Sequence, residues 1–166
     1  MAKMMSPNTT IWWAPVNGIA NKDAPTVAEV TAAINISAAI VTGYTLGATD
    51  SATDDSKTIV DEGNVQTPTF GNYEASLSFY RDGEGDTPTV FTTAFALFEA
   101  GRVEGWLISR HGYKATTAPA AGQEVSVFKV ISDYHQDVEG DGGAPIQVTI
   151  PFKPQGQMAL NVPIAA

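Results

Sequence analysis

The chain contains no cysteine, which excludes disulfide scaffolds, thiolate zinc sites and cysteine nucleophiles. It has only two histidines, His111 and His135, and no His-x-x-x-His pair, so the sequence does not predict a transition-metal site. A nucleophile elbow, a P-loop and a dinucleotide fingerprint are also missing. We therefore predict a structural or assembly subunit that is not an enzyme and that uses no cofactor and no metal.

Positive charge is scarce as well. Nine lysines and arginines face 18 aspartates and glutamates, which gives a net charge of −9 and a pI near 4.4. Such a surface repels phosphate groups, which argues against a conventional nucleic-acid binder. No stretch approaches the roughly eighteen apolar residues of a membrane span, and residues 1–7 lack the apolar centre of a signal peptide. We expect no membrane partner, and assembly in a cytoplasm.

Two acidic stretches begin with the spacing of a calcium loop, Asp-x-Glu-x-Asp, at Asp82 and at Asp137. The first has Thr87 in the place of the glycine, and the second has Val148 in the place of the bidentate glutamate. We interpret both as acidic turns between strands. A small acidic hydrolase remains a third reading of the chain, because any two of its acidic residues could meet, but no motif supports it.

What the chain does have is enough apolar sequence for a core. Its 166 residues are 43% hydrophobic, which suits one domain that buries roughly two-thirds of its unfolded surface. We predict a flexible N-terminal arm over residues 1–10, a single β domain over residues 11–153, and a C-terminal tail over residues 154–166 that need not be ordered.

The clearest local pattern lies between residues 61 and 98, where a strand pattern changes into a helix pattern. Period-two alternation between Gly71 and the turn at residues 82–85 predicts a half-buried strand. Its buried face holds Tyr73, Ala75, Leu77 and Phe79, and its polar face holds Asn72, Glu74, Ser76 and Ser78. A helix then follows over about residues 87–100, with N-cap candidates at Asp86 and Thr87 and a stop at Gly101.

The remaining patterns complete a mainly β (α+β) fold. A capping box of Thr26 and Glu29 predicts a short helical turn through Ala32. Further strands are expected at residues 34–42, 61–68, 102–110, 124–134 and 146–152, the last with Ile146 on its buried face. We predict about seven strands in two packed antiparallel sheets, a sandwich or barrel flanked by the helix at 87–100.

A long polar loop is expected over about residues 44–60. Apart from Leu46, it offers little that could pack, and it carries Asp50, Asp54, Asp55 and Lys57. A loop of this length is either a solvated surface loop or a segment that orders only against another subunit.

Trp12 and Trp13 lie in a β-prone apolar segment, residues 11–16. Adjacent residues of a strand point to opposite faces, so at least one of the two rings could need a partner outside the chain. The segment is therefore either a first strand that anchors the core or a hydrophobic arm that docks on a neighbouring subunit.

Several segments together resemble the major tail tube proteins of long, non-contractile-tailed phages, particularly those that infect actinobacteria. The resemblance spans about residues 11–152 in the order of the family. The segments that carry it are residues 24–30 (APTVAEV), 34–37 (INIS), 61–82 (DEGNVQTPTFGNYEASLSFYRD), 105–112 (GWLISRHG) and 121–127 (AGQEVSV).

The resemblance implies two packed β-sheets with a flanking helix, in a subunit of a virion tail. Copies would form hexameric rings that stack into a tube for the phage genome, with other tail proteins at its ends and no catalytic residues. In that interpretation, the inter-ring loop holds Asp50, Asp54, Asp55 and Lys57, and the wall of the lumen holds Asn72, Glu74, Ser76 and Ser78. The alternative is a carbohydrate- or receptor-binding β-sandwich in which Trp12, Trp13 or Trp106 stacks on sugars.

Overall fold

The computed structural model describes residue 4, residues 7–83, residue 85 and residues 87–166. A short 3-10 helix, Ser37–Ala39, follows the second strand. The strands and α-helices of this part of the chain are, in order, β1 (Thr9–Pro15), α1 (Val27–Ala32), β2 (Ile34–Asn35), β3 (Thr45–Thr49), β4 (Thr53–Asp54), β5 (Thr67–Pro68), β6 (Asn72–Tyr80), α2 (Val90–Ala96), β7 (Glu104–His111), β8 (Glu124–Ser132), β9 (Gln136–Val138) and β10 (Gln147–Pro163).

The strands confirm the predicted mainly β class. One antiparallel sheet has the order β2-β1-β7-β8-β10-β6-β3, with β9 paired to the start of β10, and β4 and β5 form a small second sheet. Strand β10 is 17 residues long and belongs to both halves of the large sheet. Its first part pairs with β6, from Gln147 to Phe152, and its second part pairs with β8, from Phe152 to Pro163.

The large sheet curls around one core. Ile11 and Trp13 of β1 share this inner core with Leu77 and Phe79 of β6, although three strands lie between β1 and β6 in the order of the sheet. The segment that follows β2 joins the two ends, because Ile36 N–H donates to the Ile11 carbonyl (3.0 Å) and Val41 N–H donates to the Ser78 carbonyl (2.8 Å).

Helix α2 contributes the aromatic face that the sequence predicts. Phe95 and Phe98 are buried in the inner core, where Phe98 meets Trp13 edge-on at a ring separation of 4.9 Å. The helix is shorter than expected, with Thr89 as its N-cap, and Asp86 lies outside the described residues. The chain leaves the turn after α2 at Gly101, whose φ of +65° suits a residue without a Cβ.

A second, outer core lies on the other face of β1, β7 and β8. Helix α1 covers it with Val30, and the predicted capping box of Thr26 and Glu29 is confirmed at its start. Trp12 belongs to this outer core and Trp13 to the inner one, each with 4% of its surface exposed. The two rings do point to opposite faces, but this chain covers both, which corrects the expectation that one needs an external partner.

The last strand corrects the predicted C-terminal tail. Residues 154–163 continue β10 along β8, Ile164 is buried, and Ala165 bonds to Pro25 and Val27 at the start of α1. Register shifts after Pro154 and after Ala159 interrupt the period-two alternation, so the pattern that marks a strand is absent from the sequence here.

The hydroxyl of Tyr73 holds the first of these bulges. It accepts hydrogen bonds from the N–H groups of Gln155 (2.8 Å) and Gln157 (3.3 Å) and donates to the carbonyl of Lys129 on β8. Burial raises the pKa of this phenol, so it remains a neutral donor. One side chain of β6 therefore satisfies the backbone at the point where β10 passes from β6 to β8.

Arg110 organises the loop at residues 112–123. Its guanidinium is fully buried and donates to the Thr117 carbonyl (2.6 Å) and to the side-chain oxygen of Gln123 (2.7 Å). It also lies 4.9 Å from the ring centroid of Trp12. Burial disfavours the charged form and lowers the pKa of Arg110, and the loop carbonyls offset part of that cost.

Three other expectations need correction. The strand predicted at 34–42 stops after Asn35, because the Asn35 side chain accepts from the Ser37 N–H while the Ser37 hydroxyl bonds to the backbone of Ile11 on β1, and the chain turns into the 3-10 helix. Ile146 is 55% exposed, since it precedes β10 at the edge of the molecule. Thr9 and Thr10 belong to β1, so the described end of the N-terminal arm is Asn8.

Replacement of Tyr73 by Phe should destabilise the fold by about 1–3 kcal/mol, because three hydrogen bonds of about 0.5–1.5 kcal/mol each, to Gln155, Gln157 and Lys129, lose the hydroxyl. Chemical denaturation of the purified protein measures this difference in the free energy of unfolding. Tyr134→Phe is the matched control, since Tyr134 is 55% exposed. Equal stability of the two variants would contradict a role for Tyr73 at the bulge.

Candidate assembly surfaces

A long hairpin projects from the β3–β6 end of the sheet. Pairing runs from Thr45–Ser76 to Thr49–Asn72, continues through two backbone bonds between Ala52 and residues 69–70, and ends in the β4–β5 ladder. The predicted loop at 44–60 is therefore partly strand. Its threonines favour extended backbone, and the residues that pair with them lie beyond the predicted loop, in 67–76.

This hairpin has almost no core of its own. Every residue from 48 to 72 is exposed except Ser51, which is half-buried. Polar contacts shape the end instead. The Asp54 carboxylate accepts from Ser56 N–H (3.0 Å), the Asp61 carboxylate accepts from Thr58 N–H (2.6 Å), and Lys57 Nζ donates to the side chain of Asn64 (2.5 Å).

The predicted inter-ring residues all lie on this projection. Asp50 is beside β3, Asp54 is in β4, and Asp55 and Lys57 follow it, all exposed. Hydrogen bonds from Ser56 lower the pKa of Asp54, so this carboxylate is charged. The four residues share the hairpin but do not form a single cluster with a common contact.

The apex of the hairpin is apolar, which the sequence analysis missed. Ile59 and Val60 occupy the turn that Asp61 N–H closes on the Thr58 carbonyl (3.2 Å), and their relative exposures are 105% and 79%. Tight turns usually carry Gly, Asn, Asp or Pro at such positions. Two exposed β-branched residues there mark an interaction site more than a solvated loop. We call this pair the apex.

The polar side chains of β6 lie on the face of the strand that the sequence predicts. Asn72 and Glu74 are exposed, while Ser76 and Ser78 are half-buried between β3 and β10. Ser78 shares a hydrogen bond of 2.8 Å with the hydroxyl of Thr149 on β10. Cross-strand neighbours share a face, so this half of the sheet presents short, uncharged side chains around a single carboxylate.

A groove opens at the opposite end of β6. It has a volume of about 640 Å³, and Arg81 directly follows β6 at its wall. The Arg81 guanidinium lies 3.7 Å from the centroid of the Phe95 ring, and His135 meets the same ring at 5.1 Å. The residues that line this Arg81 groove are Arg81, Asp82, Phe95, Glu99, His135, Asp137, Glu139 and Ile146.

Asp82 fastens the start of α2 to the end of β6. Its carboxylate accepts from the N–H groups of Thr89 (3.0 Å) and Thr92 (3.2 Å) and from both of their hydroxyls. The Thr92 hydroxyl and the Thr89 hydrogen bonds lower the pKa of Asp82 to about 2. The carboxylate thus satisfies donors at the open end of a helix, as an N-cap does.

The alternative of a carbohydrate-binding module loses the residues on which it depended. Trp12, Trp13 and Trp106 are 4%, 4% and 5% exposed, and the Trp106 ring N–H donates to the Val16 carbonyl (3.0 Å). None of the three rings is available to stack on a sugar.

Neither a metal centre nor a membrane span is found within the residues that the structure describes. In that part of the chain no three His, Asp or Glu side chains group as metal ligands, and no helix has the length and apolar character needed to cross a bilayer.

Comparisons with known proteins concern the family and the fold of the chain. A family model described as phage tail tube protein matches residues 1–166. Among solved structures, a chain of the anti-feeding prophage baseplate, determined by cryo-EM and six-fold symmetrised, is 13% identical with a TM-score of 0.54, over 98% of this chain and 97% of that one. A type six secretion system protein is 14% identical with a TM-score of 0.43, over 88% and 78%. No curated protein sequence matches.

Replacement of Asp82 by Asn should destabilise the protein near neutral pH and make little difference in acid. The folded pKa of about 2 lies below the ordinary 3.8, so the carboxylate stabilises the fold above the ordinary value and loses that effect as the pH falls toward 2. Chemical denaturation of the unmodified protein and of Asp82→Asn should show that the difference in their free energies of unfolding shrinks between about pH 6 and pH 2. Asp55→Asn, on the hairpin, is the control, and a pH-independent difference for Asp82→Asn would contradict the assignment.

Proposed function

The chain belongs to the phage tail tube protein family, and we propose that six copies close into a ring and that rings stack into a hollow tube for the phage genome. The protein is a structural component of the virion tail and not an enzyme. It assembles with other tail proteins in a tube of many subunits.

The observation that carries this proposal is the hairpin at residues 48–72. It lacks a core, exposes an apolar apex and buries nothing within its own subunit beyond its base. Such a segment is stabilised when a neighbouring subunit covers it. In a stack of rings, it is the part of the subunit that reaches the next ring, and Asp50, Asp54, Asp55 and Lys57 are its charged groups.

Ring closure is supported by the open edges of the large sheet. Strand β3 lies at one end of the sheet order and the two-residue β2 at the other. Unpaired N–H and C=O groups along an edge pair readily with another chain. A head-to-tail contact of this kind generates a ring when its rotation closes. The six-fold symmetry of the baseplate that holds the similar fold favours six copies here.

The polar face of β6 suits the wall of the lumen. Asn72, Glu74, Ser76 and Ser78 present no basic group, and DNA carries about one negative charge per 1.7 Å of its axis. A basic wall would retain the genome by counterion release, whereas a neutral or weakly acidic wall repels it slightly along the whole path. The genome then passes without specific binding.

Subunits are made and assembled in the cytoplasm of the host bacterium, and other tail proteins close the two ends of the tube. This part of the proposal rests on the family, because a tail tube has to be joined to the rest of the tail. The strongly acidic surface keeps the free subunits apart and soluble before assembly.

Ile59→Ser combined with Val60→Ser should yield a folded subunit that forms few tubes. Burial of each Ile or Val contributes roughly 1.5–3 kcal/mol, so loss of both should raise the concentration needed for tube formation by about a hundredfold or more. Negative-stain electron microscopy counts tubes against protein concentration, and thermal unfolding checks the fold.

Val16→Ser, at an exposed apolar residue outside the hairpin (39% exposed), is the matched control and should leave tubes intact. Normal tubes from the double variant would refute the role of the apex in stacking. Failure of the unmodified protein to form rings or tubes, alone or with tail-tip proteins, would refute the proposed assembly itself.

A further inference from the structure

We propose that the apex of one subunit, Ile59 and Val60, inserts into the Arg81 groove of a second copy of this chain in the next ring. The inference rests on the proposed stacking of rings, and it names the surface of the next subunit that receives the apex. It assigns a binding role to Phe95 and Ile146, and to the charged residues around them.

The two surfaces lie at opposite ends of the same strand. The hairpin leaves the sheet at Asn72, the first residue of β6, and the groove begins at Arg81, directly after its last residue. Nine residues of strand separate these ends by about 30 Å. The apex therefore cannot reach the groove of its own subunit, whereas a head-to-tail row brings the apex of one copy to the groove of the next.

The apolar part of the groove matches the apex in kind. Ile146 is 55% exposed and is held beside β6 by the Arg81 N–H, which donates to the Ile146 carbonyl (3.1 Å). Phe95 is 7% exposed and its ring lies under the Arg81 guanidinium, so it forms the floor of the groove, whereas Ile146 supplies the accessible apolar surface. Ile59 and Val60 are compact, β-branched and almost fully exposed, so their insertion removes apolar surface from water on both partners.

The charges around the two surfaces are complementary. Lys57 is the single basic residue between Tyr44 and Tyr80, and it lies two positions before the apex. The groove offers it Glu99, Asp137 and Glu139. Conversely, the exposed hairpin acids Asp55 and Glu62 can pair with the Arg81 guanidinium of the next subunit.

The hairpin presents its charges selectively. The carboxylates of Asp54 and Asp61 turn onto N–H groups of the hairpin itself, at 3.0 and 2.6 Å. These two acids are therefore engaged within the hairpin. Lys57 is the positive charge nearest to the apex, and its ammonium group can pair with an acidic partner when it leaves the side chain of Asn64. Exposed pairs of this kind contribute little energy singly, so they set the register while the apolar contact supplies the affinity.

Paired cysteines test the contact directly, because the chain has none of its own. Tubes assembled under reducing conditions from Val60→Cys/Ile146→Cys, then oxidised or treated with a short bismaleimide, should give a ladder of covalent multimers on a denaturing gel. A disulfide requires Cβ atoms about 3.5–4.5 Å apart, and the bismaleimide detects a looser approach. Each single variant should give dimers at most, since a ladder needs two different sites.

Val60→Cys/Val90→Cys is the matched control, because Val90 is 50% exposed and lies on α2 but does not line the Arg81 groove. A ladder from the Ile146 pair and none from the Val90 pair supports the inference. Intact tubes without a ladder from the Ile146 pair overturn it and leave the proposed tube standing. Absence of tubes from the unmodified protein removes both.

A charge exchange gives an independent readout. Lys57→Glu should reduce tube formation several-fold at low salt, and Glu139→Lys in the same chain should restore most of it. The loss should shrink as salt screens the pair. An unrescued loss, or one that is unchanged at high salt, would count against the pairing of Lys57 with the groove.

Discussion

The fold depends on the passage of a single strand between two halves of a sheet. Strand β10 pairs with β6 and then with β8, so the sheet can curl only where β10 bends. A bend in a strand breaks its ladder, and the freed N–H groups need another acceptor. The Tyr73 hydroxyl supplies that acceptor. Because Tyr73 belongs to β6 and also bonds to β8 through Lys129, one side chain fixes all three strands at the corner.

Curling divides the buried apolar residues between two cores, and no residue of the hairpin from 48 to 72 is buried. Alternate residues of β1, β7 and β8 serve the inner and outer cores in turn, as the neighbouring pair Trp12 and Trp13 shows. Strand β6 contributes alternate residues from Tyr73 to Phe79 to the inner core and β3 contributes Leu46, so the packing of the hairpin strands ends at Leu46 and Tyr73. Beyond that point the chain continues as a paired ribbon with no layer beneath it. The body is thus stabilised by its two cores, whereas the end of the hairpin is held only by its own backbone pairing and polar contacts.

The sequence predicted those elements whose signal is local. The alternation of β6, the strand expected at 124–134 and the capping box of Thr26 all appear, because each depends on neighbours within a few residues. The second half of β10 has no such local signal, since its bulges and the positive φ of Asn161 disrupt the period-two alternation of a strand. Residues 44–60 have the sequence pattern of a loop, because the strand residues that pair with them are distant in the sequence. The apex and the Arg81 groove depend on exposure and on long-range packing, which no local pattern encodes.

Assembly of this chain has to overcome its own charge. Subunits that each carry a net charge of −9 repel one another, and the Debye length of about 8 Å at physiological ionic strength confines that repulsion to surfaces in near contact. Attraction must therefore act at short range, through strand pairing and buried apolar groups, which salt does not weaken. The few positively charged side chains can then decide how two acidic subunits are oriented. Placed beside an apolar contact, Lys57 and Arg81 can favour one register among many in which acidic surfaces would meet. In the proposed stack, the acidic surface would keep free subunits apart, and the apolar apex with its neighbouring cation would fix the register in which they meet.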